Sequence, residues 1–171
     1  MSRPRVVLVG PMGAGKSTVG PLLAEGWGVG FRDTDADVEA TAGTTVAELF
    51  VDSGEAHFRA LEQEAVATAL AEHDGVLALG GGAVMDPLTR ERLAGHTVVF
   101  LRVGLSQASS RVGLNSSRPL LLGNVRSRLK TILDERATVY TEVSSVVVDT
   151  DDLEPAAVAE AVRAAVEDVR A

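Results

Sequence analysis

The chain has 171 residues and no cysteine. That excludes disulfides and cysteine-ligated zinc, and leaves thiols silent about the redox compartment. No apolar stretch approaches the roughly 20 residues that a membrane-spanning helix needs. The first five residues run straight into an apolar strand pattern, leaving no room for a signal peptide, so a soluble, cytoplasmic protein is expected. Positive charge is also short. The formal net charge is −8, which argues against a general nucleic-acid binder, because such proteins carry a basic face. The three histidines, His57, His73 and His96, share no metal-ligand spacing and read as surface or helix-end residues. Internal repeats, low-complexity tracts and linkers are missing, and the length suits one domain, residues 1–171, around one sizeable core.

What is present is an alternation. Apolar, β-branched runs at residues 6–9, 76–79, 98–101 and 146–148, with a shorter piece at Phe31-Arg32-Asp33, are separated by helical spacings. Runs that are apolar throughout, rather than at every second position, predict a parallel sheet covered on both faces. Near the C-terminus Val158, Val162, Val166 and Val169 recur on one helical face, and Pro155 stands where a first turn tolerates it. The fold class is therefore three-layer α/β, with ligands at the C-terminal edge of the strands. Two stretches break the rhythm. Residues 35–74 form a long helical insertion, with Leu49, Phe50, Phe58, Leu61, Ala65 and Ala69 as core-facing candidates. Residues 113–123 are bounded by glycines, polar at first and interrupted by Pro119, as functional loops and lids are.

The strongest single signal is Gly10-Pro11-Met12-Gly13-Ala14-Gly15-Lys16-Ser17, which follows the first apolar run without a gap and opens a helix. This is the P-loop pattern in the context it requires. Its glycines let backbone N–H groups converge on one point, and the helix start adds unpaired N–H groups and a positive dipole end. The nest suits nucleotide phosphates, with Lys16 reaching the outer ones and Ser17 able to hold Mg²⁺. Lysine occurs only here and at Lys130, consistent with a site that needs a compact point charge.

Other residues are open to two readings each. Asp33 and Asp35, two apart at a strand end, would present both carboxylates on one side; equally, Thr34 or Asp35 could cap the next helix. Arg59 lies within helical reach of Glu55 and Glu62, and is either half of an intrahelical ion pair or an anion receptor. Gly80-Gly81-Gly82 follows the 76–79 strand, allowing close ligand approach or merely a flexible turn. An acidic residue usually stands there in P-loop enzymes, so Asp33 becomes the nearest partner for Mg²⁺. Seven of the sixteen basic residues, but only two of the twenty-four acidic ones, fall between positions 102 and 136. That segment is either a set of solvated helix faces or a cationic cover for triphosphate. Within it, Arg118 and Arg136 carry the planar fork that grips carboxylate or phosphate.

Taken in order, these signatures resemble the shikimate kinase family: the P-loop continuing as Thr18-Val19-Gly20, Asp33-Thr34-Asp35, Gly54-Glu55, Phe58-Arg59 with Glu62, the glycine triplet, Arg118-Pro119-Leu120-Leu121, and Arg136 with Tyr140. The resemblance implies a five-stranded parallel sheet of order 2-3-1-4-5 and transfer of the ATP γ-phosphate to the 3-hydroxyl of shikimate, on the route to chorismate and aromatic amino acids. It implies that Asp35, Arg59, Arg136 and Gly80, Gly81 and Gly82 hold shikimate, with Asp35, Lys16 and Arg118 serving catalysis. ATP would be held by Gly13, Ala14, Gly15, Lys16, Ser17 and Thr18, with Arg118 on the phosphates and Arg111 and Pro155 flanking adenine. Ser17 and Asp33 would hold Mg²⁺, in a monomer without nucleic-acid or membrane partners. Pro21 departs from the pattern where an arginine often stands, which puts a kink or a surface charge in doubt. The rival readings are a gluconate or nucleoside-monophosphate kinase and a nucleotide-binding module without turnover. The Asp-Thr-Asp, Phe-Arg and triple-glycine combination speaks against the first, although gluconate too bears a carboxylate and hydroxyls. The intact Lys16, Ser17, Asp33, Asp35 and Arg118 weigh against the second.

Overall fold

The apolar runs form one sheet. In the computed structural model, which describes residues 3–104 and 125–170, β1 (Val6–Val9), β2 (Phe31–Asp33), β3 (Val76–Ala78), β4 (Val98–Arg102) and β5 (Val146–Asp149) are all parallel, in the order β2-β3-β1-β4-β5. The sheet order implied by the family resemblance is the one observed. β1 is central, with Val7 registered against Leu77 on one side and Val98 on the other. It is buried on both faces, which is why its sequence does not alternate.

The α-helices among the described residues are α1 (Lys16–Trp27), α2 (Thr34–Ala42), α3 (Val46–Glu72), α4 (Pro87–Leu93), α5 (Val125–Val143) and α6 (Pro155–Arg170). Successive β1 side chains serve opposite layers. Val6 and Leu8 pack with Val19 and Leu23 of α1 and with Val158, Val162 and Val166 of α6. Val7 and Val9 pack with Val66 of α3, Phe100 of β4 and Tyr140 of α5. The insertion has a small core of its own, Val38, Leu49 and Phe58, with the Phe50 and Phe58 rings 4.7 Å apart.

Several expectations need adjustment. The insertion is α2 plus an α3 that turns at Gly54, whose φ of 83° and ψ of 169° leave helical space; glycine tolerates that conformation without a Cβ penalty. Of the expected core positions Leu49, Phe58 and Ala69 are buried, while Phe50, Leu61 and Ala65 pack only in part; Val38, Val66 and Leu70 are buried as well. Val169 is 50% exposed, so the apolar stripe of α6 ends at Val166. Pro21 lies inside α1 without interrupting it. The hydrogen bond it forfeits is the one to the carbonyl of Ser17, in the opening turn. The segment read as a lid, residues 113–123, lies outside the described residues. Among the described residues, no helix is long and apolar enough to cross a membrane.

Candidate active site

The C-terminal ends of β1, β2 and β3 bring the P-loop, the Asp-Thr-Asp segment and the glycine triplet side by side. Gly15 is the residue before α1; it sits in left-handed space at φ 94° and places no capping side chain over the helix start. The first N–H groups of α1 are thus left to an anion. Lys16 opens the helix and folds back over the loop, donating from Nζ to the carbonyls of Gly10 at 2.6 Å and Pro11 at 3.0 Å. Desolvation lowers its pKa from 10.5 to about 8, against the pull of the Asp35 and Asp33 carboxylates and with a smaller push from Arg136. A cation, two carboxylates and a guanidinium therefore share one electrostatic site.

The spacing argument for Asp33 and Asp35 fails in its detail. Asp33 ends β2 and caps α2, accepting from the Asp35 N–H at 2.9 Å, and Asp35 is already in the first helical turn. Capping and proximity both hold, with Asp33 rather than Thr34 or Asp35 as the cap. Burial raises the Asp35 pKa first, and Asp33 raises it further, while Lys16 and Arg59 oppose the shift. Thr34 between them is fully buried, and its Oγ1 accepts from Gly80 N–H at 3.2 Å. Sequence reasoning treated Thr34 only as a possible cap.

The triplet is a close-approach turn. A Cβ on Gly80 would lie 2.6 Å from Oδ1 of Asp35 and 2.9 Å from Oε2 of Glu62. One on Gly82 would lie 2.7 Å from both terminal nitrogens of Arg59. Side chains of opposite charge thus rest directly on bare backbone. Arg59 pairs with buried Glu62 at 2.7 Å and more loosely with Glu55 at 3.6 Å. The ion pair is present, yet the guanidinium still borders a cleft of about 380 Å³ that Arg136 of α5 also lines. Ion pair and anion receptor are compatible readings. Asp86, which sequence reasoning did not single out, lines the same cleft, accepts from Gln63 Nε2 at 2.5 Å and also caps α4.

Ser17 and Thr18 lie in the exposed first turn of α1, and Pro155 begins α6 on the surface. Arg111 and Arg118 fall outside the described residues. His57 is exposed, His73 ends α3 with Nε2 3.0 Å from the Val76 carbonyl, and half-buried His96 precedes β4. Among the described residues, no three His, Asp or Glu side chains gather as a metal cage.

A strand, P-loop and helix in a parallel sheet of this order, beside a cleft lined by two arginines and a glycine turn against which a desolvated aspartate rests, define a P-loop kinase of a small anionic substrate. Comparison with known proteins narrows the class. The family model "Shikimate kinase" matches residues 12–167. The chain is 59% identical over 160 residues to the shikimate kinase of Frankia casuarinae, covering 94% of this chain and 71% of that one. It is 56% identical to the shikimate kinase of Streptomyces avermitilis over 98% of both. Among solved structures, shikimate kinase from Acinetobacter baumannii in complex with shikimate superposes with a TM-score of 0.89 at 32% identity, covering 98% of this chain and 94% of that one. The enzyme from Bacteroides thetaiotaomicron superposes with 0.86 at 29%, covering 96% and 98%. The chain belongs to the shikimate kinase family.

Proposed function

We propose that this enzyme carries out its reaction, phosphorylation of shikimate by ATP, with the residues gathered at the strand ends, and that the phosphoryl acceptor is the 3-hydroxyl. The observation that supports this assignment best is that Arg59 and Arg136, from different helices, line one cleft next to the glycine turn that Asp35 borders. Two guanidinium groups suit one planar carboxylate, and the neighbouring carboxylate and backbone suit ring hydroxyls.

Phosphoryl transfer has a loose transition state, so positioning and charge neutralisation supply most of the catalysis. Residues Gly13 to Thr18 hold the triphosphate with main-chain N–H groups and the start of α1. Lys16 exchanges the Gly10 and Pro11 carbonyls for phosphate oxygens. Asp35 orients the attacking hydroxyl and accepts its proton late. The oxygen donors fit Mg²⁺: Ser17 offers a hydroxyl, and Asp33 uses Oδ1 on the Asp35 N–H, leaving Oδ2 for a hard cation. When bound, that ion would neutralise phosphate charge. On the resemblance alone, Arg118 covers the transferring group from a lid at 113–123, Arg111 and Pro155 flank adenine, and α2 with α3 forms the substrate-binding part of one domain.

The test is an ADP-release assay over shikimate, gluconate and nucleoside monophosphates, with Mg²⁺ present and chelated. Turnover with shikimate alone, lost on chelation, is expected. Comparable turnover with gluconate would overturn the assignment of the two arginines as a shikimate-selective pair.

A further inference from the structure

Tyr140 is the one tyrosine of the chain, and it is buried to 1% exposure on α5. Its ring packs on Phe100 of β4 with centroids 5.0 Å apart. Its hydroxyl donates to the carbonyl of Gly81 at 2.5 Å, joining α5 to the glycine turn across 59 positions. Arg136 stands one helical turn earlier on the same face of α5. A Cβ on Gly81 would lie 3.8 Å from Nη1 of Arg136, so the guanidinium reaches the same turn that the Tyr140 hydroxyl bonds. Burial pushes the phenol pKa up, and Arg136 pulls it down.

We propose that Tyr140 is a positioning residue for shikimate, whose single hydroxyl locks the Gly81 peptide and the Arg136 guanidinium into one arrangement. The inference rests on the reading of Arg136 and the glycine turn as parts of the shikimate pocket. A phenol has one proton to donate and two lone pairs to offer. The proton is committed to Gly81, and the oxygen stays available to a guanidinium N–H. In a trans peptide the carbonyl and the next N–H point opposite ways. Aiming the Gly81 carbonyl at Tyr140 therefore aims the Gly82 N–H away from α5, on the residue against which Arg59 packs. One hydroxyl thus sets the spacing between the two arginine-bearing sides of the cleft.

Tyr140→Phe keeps the ring and removes only the hydroxyl. The expected result is a shikimate KM raised about five- to thirtyfold, the range for leaving a buried hydrogen-bonding partner unsatisfied, with the ATP KM changed less than about twofold. Phe100→Leu loosens the same packing without touching the hydroxyl, and should lower Tm while leaving the shikimate KM within about twofold. In an Arg136→Ala background, Tyr140→Phe should raise the shikimate KM by a smaller factor than it does alone, because only the Gly81 peptide is then left for the hydroxyl to position. An unchanged shikimate KM in Tyr140→Phe, alongside a raised one in Arg136→Ala, overturns the positioning role alone; so does a Phe100→Leu variant that reproduces the KM effect. An unchanged KM in Arg136→Ala overturns the pocket assignment and this inference with it. Because the chain has one tyrosine, 3-fluorotyrosine reports the site in an otherwise native protein: its ¹⁹F resonance should shift on adding shikimate, and an unmoved resonance at saturation counts against the proposal.

Discussion

Arg59 Nη1 lies 2.7 Å from Oε1 of Glu62, and that carboxylate is buried at the base of the glycine turn. Burial raises the Glu62 pKa, and Arg59 is the main force opposing the rise. The guanidinium therefore has two tasks, neutralising a buried acid and facing the cleft. Arg59→Ala should raise the shikimate Kd at least about 30-fold, since losing a hydrogen-bonded charge costs about 2–5 kcal/mol. ATP affinity should stay nearly intact, while Tm falls because Glu62 is left without its counter-ion. Calorimetry with each substrate checks this, and normal shikimate affinity would remove Arg59 from the carboxylate site.

Asp35 is the carboxylate whose pKa burial and Asp33 raise together. A base held in that state suits late proton acceptance. Asp35→Asn should lower kcat by at least about a hundredfold with little change in ATP affinity. It also removes the strongest carboxylate pull on Lys16, so the lysine should titrate at lower pH in the variant. Unchanged turnover in steady-state kinetics would exclude Asp35 from the chemistry.

Much of this site was legible before any coordinates. The P-loop and the glycine triplet were carried by motifs whose physics is local, a nest of N–H groups or a backbone needing bare approach, whereas the strand order came only from the family resemblance. What local pattern could not supply was the partner of each polar group. Thr34 bonding Gly80, Gln63 bonding Asp86 and Tyr140 bonding Gly81 each join positions far apart in sequence, and nothing in periodicity chooses among such pairings. Asp33 and Asp35 show the opposite error. The alternation rule was carried two residues past the end of β2, to Asp35, where α2 had already begun.

Lys16 makes ATP binding and folding respond to pH in opposite directions. Its pKa in the free protein is about 8, against an ordinary value of 10.5. Between those values the unfolded chain binds more protons at this residue than the folded one, so this group makes the free protein more stable as pH rises through that window. Triphosphate next to the ammonium favours the charged form, so ATP binding takes up a proton above about pH 8 and weakens by up to about tenfold per pH unit there. Titration calorimetry at pH 8.5 in buffers of differing ionisation enthalpy measures the uptake directly. Identical observed enthalpies would mean that Lys16 is already charged in the free enzyme.

Gly80 and Gly82 separate the two substrate contacts that the cleft combines. A methyl group on Gly82 would meet the terminal nitrogens of Arg59 at 2.7 Å, the movable end of a long side chain. Gly82→Ala should therefore displace the guanidinium at little cost in Tm and act mainly on shikimate KM, by about three- to thirtyfold, the reach of one weakened charged hydrogen bond. A methyl group on Gly80 would meet Asp35 Oδ1 at 2.6 Å and buried Glu62 Oε2 at 2.9 Å. Both are held, Asp35 in the first turn of α2 and Glu62 by Arg59. Gly80→Ala should therefore lower kcat more than it raises KM, and lower Tm as well. Steady-state kinetics on the two variants gives opposite KM-to-kcat patterns if Arg59 binds and Asp35 reacts; the same pattern in both would show that the glycine turn acts as one rigid unit, without that division of labour.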